Sequence, residues 1–137
     1  MKLRTVALSF LAFGALLAEV APVVAHHSFS AEFDSAKPVT LRGYVTKIEW
    51  TNPHVWIYMD VKDDKGVKTN WGFEMGPPHL LQGSGWNREK LKIGDELIVD
   101  GSRAKNGTNK MNARAVKFAA TGLSLQAGSS QGQPGQQ

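Results

Sequence analysis

The chain contains no cysteine. Disulfide stapling is therefore excluded, and so is a thiolate metal site; a metal can be held only by His, carboxylate, Met or backbone groups. Long apolar runs are also lacking. Val6–Leu17 is almost wholly apolar but is broken by Ser9 and Gly14, and it falls short of the roughly 20 residues that a membrane span needs. Charge of one sign is scarce: the formal net charge is +4, with basic and acidic residues interleaved. Such a balance favours solubility and offers no basic stripe for nucleic acid. Catalytic signatures are missing too. There is no Gly-rich phosphate loop, no His-Glu-x-x-His stretch and no Ser-His-Asp arrangement. Glu49 and Glu74 are available as an acid/base pair, but nothing in their spacing selects them. Enzymatic activity is left open, and a binding role is the simpler reading.

The first residues have the make-up of an export signal. Lys2 and Arg4 form a positive start, the apolar run follows, and Val23-Val24-Ala25 puts small residues at −3 and −1 of a cut after Ala25. A retained anchor or a buried first helix is the alternative. Cleavage would remove Lys2, Arg4 and Glu19 and take the formal charge from +4 to +3. It predicts a protein in the periplasm or secreted, with no membrane span after processing. Four segments are expected: a signal over 1–25, an arm over 26–38, a folded body over 39–120 and a disordered Gly/Ser/Gln tail over 121–137.

Within the body, alternation of apolar and polar residues marks five strands. Val39–Trp50 is the first; its apolar residues change face midway, which predicts a bulge near Gly43. Thr51-Asn52-Pro53 is a turn, and His54–Lys62 is the second strand, with Val55, Ile57, Met59 and Val61 inward. Asp63-Asp64-Lys65-Gly66 is a hairpin turn. Val67–Met75 is the third strand, with Trp71, Phe73 and Met75 sharing a face. His79–Leu91 reads as short helical turns broken by Gly83 and Gly85, with Asn87 as an N-cap. Glu96–Ala104 and Met111–Ala119 are the fourth and fifth strands, joined through Asn106-Gly107. Three strands, a short helix and two more strands is the order of a small all-β OB-fold barrel. An open β-sandwich is the runner-up.

The pair His26-His27 followed by Ser28-Phe29, the Thr51-Asn52-Pro53-His54 step and Gly94-Asp95 together resemble a family of secreted bacterial proteins known as domain of unknown function 6152. The resemblance spans the processed chain apart from its tail. It implies export and the limits of the domain, and it brings no substrate or mechanism with it.

All four histidines lie after the expected cleavage point: His26, His27, His54 and His79. A processed N-terminal His chelates through its α-amine and its imidazole, and a third nitrogen would complete a T-shaped site suited to Cu(II), with Zn or Ni as alternatives. His54, directly after Pro53, is the preferred distant ligand. The first strand runs about 40 Å if straight, at about 3.3 Å per residue, and the arm has a similar reach. An arm folded back along that strand, pinned by Phe29 and Phe33, would bring the terminus to His54. Glu32, Asp34 and Glu49 are candidate ligands or orienting acceptors. The plainer readings are a solvated start for His26 and His27, a turn residue for His54, a helix-packing residue for His79 and surface charge for the acids. Metal binding would weaken as pH falls, since protons compete for an amine titrating near about 8 and an imidazole near about 6.5.

Trp56 and Tyr58 point outward if Val55 and Ile57 point inward. On an OB fold that is a ligand platform, so a metal-free module binding a small ligand or a periplasmic protein partner is the second reading. The plainer one has the two rings covering the arm or a minor core. A redox enzyme at the copper site is a third option. No nucleic-acid partner is expected.

Overall fold

The computed structural model describes residues 29–129. A single helical turn, α1 (Phe29–Glu32), leads straight into β1 (Phe33–Glu49). Then follow β2 (Trp56–Lys62), β3 (Lys68–Glu74), α2 (Pro78–Gly83), β4 (Glu96–Ala104), β5 (Lys110–Phe118) and β6 (Ser124–Gln126).

The strands are ordered β3-β2-β1-β4-β5-β6, and β3 also pairs with β5. That last pairing is parallel, through Gly72↔Lys110, Phe73↔Met111 and Glu74↔Asn112; the neighbouring pairings around the ring are antiparallel. Strands one to five therefore form a closed ring with a helix inserted between the third and fourth. This is the OB-type barrel expected from the order of elements.

β1 can serve two neighbours because it is long and bent. Its first half pairs with β4 and its second half with β2. The bulge lies between Val45 and Lys47, three residues beyond the expected Gly43. The extra residue restores the inward face: Val45 is inward before it, and Ile48, paired with Ile57, packs on the core after it. Gly43 has a different task. A Cβ there would lie 2.4 Å from the Asp60 carbonyl oxygen, so only Gly lets β1 and β2 approach at that point.

The inward-facing residues read from alternation are buried, except Val61, which is partly buried against the core. Val55, Ile57 and Met59 of the second strand region, Phe73 of the third and Leu97 and Val99 of the fourth are fully enclosed. Each such side chain contributes about 1.5–3 kcal/mol. Leu81, Trp86 and Leu91 plug the barrel from the segment between β3 and β4. α2 ends at Gly83, the first of the two expected breaks. The Asn87 side chain still caps a turn, accepting the Glu89 and Lys90 backbone N–H groups at 3.1 and 2.8 Å.

Two expected boundaries are corrected. The arm does not extend to residue 38, because Phe33 is buried and paired with Ala104 at the start of β1. Pro38 sits where β1 shifts register, a place that tolerates a residue without an N–H. Nor does a disordered tail begin at 121. β6 pairs with β5, the Gly76 N–H donates to the Ala127 carbonyl at 2.8 Å, and the Trp86 indole donates to the Gln126 carbonyl at 2.9 Å. The segment 124–129 is thus a strap across the barrel end. The expected signal, with His26 and His27, lies outside the described residues.

Candidate functional site

The outer wall of β2 and β3 carries the side chains that the core does not use. Trp56 stands opposite Glu74, Tyr58 opposite Gly72 and Asp60 opposite Asn70. The parallel seam adds Lys110 beside Gly72 and Asn112 beside Glu74. β1 adds Lys47 opposite Tyr58 and Glu49 opposite Trp56.

His54 is fixed at one end of this wall. The residue after it is pinned: the Met75 N–H donates to the Val55 carbonyl at 2.8 Å, and the Val55 N–H donates to Gly76 at 3.2 Å. His54 thereby leans over Glu74 and bonds through Nδ1 to Glu74 Oε1. The other carboxylate oxygen accepts from Asn112 Nδ2 at 3.3 Å. Glu74 is only 8% exposed, whereas the His54 side chain is 38% exposed. An ionised carboxylate only accepts, so the pair forms with the proton on Nδ1. In the neutral ring of that tautomer Nε2 keeps its lone pair.

Trp56 and Tyr58 are half-buried on the same wall, with ring centroids 6.4 Å apart and planes 24° apart. Gly72 is their seat. A Cβ at Gly72 would lie 3.1 and 3.2 Å from two Tyr58 ring carbons and 3.7 Å from Trp56. The Tyr58 hydroxyl donates to Glu49 at 3.0 Å, and Lys47 pairs with the same carboxylate at 2.5 Å. The Lys47 bond, then the Tyr58 bond, hold the Glu49 carboxyl below its ordinary range. Burial, then the bond to Glu49, push the Tyr58 phenol up. Lys47 lies 5.1 Å from the Tyr58 ring centroid and Lys110 lies 5.4 Å from that of Trp56. Next to Glu49 a cleft of about 720 Å³ opens between Ile48, Trp50, Thr51, Arg88 and Leu91.

Of the sequence candidates, the structure brings His54, Trp56 and Tyr58 onto one wall. His79 is exposed on α2 and has no place there. The expected fold-back of the arm is corrected for its described part. Phe33 begins β1, Phe29 stacks on Phe33 at 5.9 Å, and α1 is held at the β4–β5 turn, where the Lys105 N–H donates to Glu32 and Lys105 Nζ to the Ser30 carbonyl. Nor are Trp56 and Tyr58 part of the core cluster. Asp34 caps Ala36 and pairs with Lys37 at 3.7 Å, away from His54. Among the described residues no three His, Asp or Glu side chains converge as a metal site.

Sequence reading missed Glu74 as the partner of His54. The β2–β3 hairpin held the signal: counting outward from the Asp63–Gly66 turn sets Trp56 opposite Glu74. Asn112 and Lys110 left no such signal, since they arrive through the parallel seam.

Residues 15–113 match the family of unknown function DUF6152, and the chain belongs to that family. No curated protein matches it in sequence. Among solved structures, the dimeric N-terminal domain of the PriB protein from Thermoanaerobacter tencongensis is similar at 21% identity, with a TM-score of 0.46, over 61% of this chain and 96% of that one. The ring of five strands with its inserted helix makes the chain a small OB-type barrel. Among its described residues no helix is long and apolar enough to cross a membrane.

Proposed function

We propose that this protein is an exported metal-binding module, with copper as the favoured ion, in which His54 is the pre-oriented ligand and the processed leader supplies the others. The observation that carries this reading is the Asn112–Glu74–His54 relay. A carboxylate on one imidazole nitrogen is the usual support of a metal-ligating His: it sets the tautomer, holds the ring and raises its basicity. His26 would contribute its α-amine and imidazole, and His27 can replace or add an imidazole. The first described residues, those of α1, sit beside the β4–β5 turn. The Asn109 carbonyl of that turn accepts the Gly72 N–H, and Gly72 is two residues from Glu74.

The test begins with mass spectrometry of the exported protein, to establish a start at His26. Chains starting at His26, with and without one extra preceding residue, are then titrated with Cu(II). The extra residue is expected to weaken binding at least tenfold, His54→Ala likewise, and Glu74→Gln by 10- to 100-fold. Equal affinities across the four proteins would remove this reading.

A second reading is favoured by the seating of Trp56 and Tyr58 over Gly72: the wall binds a ligand through its rings, without metal.

A further inference from the structure

We infer that the wall around Trp56 and Tyr58 is a carbohydrate surface that takes a neutral, linear oligosaccharide; the inference rests on the metal-free reading of that wall and names its ligand class.

Three features select this chemistry. The first is the pair of rings. Their centroids lie 6.4 Å apart with planes 24° apart, Gly72 backs them in place of a side chain, and the flexible Lys47 and Lys110 ammonium groups stand over them. Aromatic faces of this kind accept the C–H face of a sugar ring, and two in succession accept two successive sugars.

The second is the rim, where donors and acceptors alternate. Glu49 offers carboxylate oxygen beside the ammonium of Lys47. At the far end of β2, Asn70 Nδ2 donates to Asp60 at 2.9 Å and to the Thr46 hydroxyl at 3.0 Å, while Lys68 pairs with Asp60 at 3.3 Å. A sugar hydroxyl both donates and accepts, and a rim of both kinds suits it. A phosphate or carboxylate only accepts, and Glu49 and Asp60 of this rim would repel it.

The third is charge balance. Lys47 is matched by Glu49 and Lys68 by Asp60, Glu74 holds His54, and Lys110 stands over the Trp56 ring. A single-stranded nucleic acid calls for a row of cations following its backbone, in addition to stacking rings. Here the cations are interleaved with carboxylates. The groups are also tied to one another before any ligand arrives, which lowers the ordering cost of binding.

The experiment uses the full processed chain in EDTA, which separates this site from a metal site. Cellohexaose and hexa-N-acetylchitohexaose are the neutral probes; heparin and a 15-nucleotide oligothymidine are the polyanions. Calorimetry is expected to show binding of a neutral probe at high-micromolar to millimolar Kd, unchanged between 50 and 500 mM salt. Trp56→Ala and Tyr58→Ala are expected to weaken it at least tenfold. Tyr58→Phe, which keeps the ring and guards against a folding artefact, is expected to change it less than threefold. Silence with both neutral probes at 5 mM overturns the inference. So does salt-sensitive binding of a polyanion that competes for Trp56. Trp56-dependent capture of some other small molecule would overturn the sugar assignment yet leave the wall a ligand face.

Discussion

At the residue scale, the wall shows how one absent side chain and one buried acid organise a surface. Gly72 lets two rings settle on the backbone, and Glu74 turns a surface histidine into a fixed one. Glu49 and Asp60 carry a pH consequence. The Lys47 and Tyr58 bonds hold Glu49 below the ordinary carboxylate range, and the Asn70 bond, then Lys68, does the same for Asp60. A carboxyl depressed in the fold stabilises it above the unfolded value, near about 4, and loses that contribution as pH falls through the folded value. Thermal melts from pH 7 to pH 2.5 should therefore show Tm declining below about pH 5. The Glu49→Gln, Asp60→Asn double variant should decline less steeply, and the difference should shrink in high salt because both groups face solvent. Parallel curves for the two proteins would contradict this. The outward aim of Trp56 and Tyr58 was legible from alternation along one strand. The partnership of His54 with Glu74 needed the hairpin register as well, and Asn112 needed a contact between strands remote in sequence.

At the scale of elements, the turns were the most legible parts, because their chemistry is local. Asp63 accepts the Lys65 and Val67 N–H groups at 2.9 and 2.8 Å, and Gly66 and Gly107 take positive φ in the two hairpins. β6 was not legible: Ser124-Leu125-Gln126 holds a single apolar residue and lies in a polar stretch. Its worth comes from what it covers. A chain ending at Leu123 would orphan the Gly76 N–H and the Trp86 indole N–H, each at about 1–3 kcal/mol, and would uncover the enclosed Leu81. Urea unfolding of that truncation should show a loss on the order of 3 kcal/mol or more. A chain ending at Ser129 should match the full protein. Equal midpoints for the two truncations would mean that the strap adds nothing.

For the molecule as a whole, the order of elements alone pointed to the barrel, because three strands, a plug and two strands leave few ways to close a core. What the order could not reveal is where the ring is joined. The joint is the short parallel contact of residues 72–74 with 110–112, and in a parallel pair the bonds are slanted and somewhat weaker per residue. The wall straddles that joint, with Glu74 on one side and Asn112 on the other. Anything that grips the wall across this line also staples the cylinder shut. Occupancy should therefore be readable in the joint itself, as slower amide hydrogen exchange at Phe73, Glu74, Met111 and Asn112. The barrel would report its cargo through the least secure of its own fastenings.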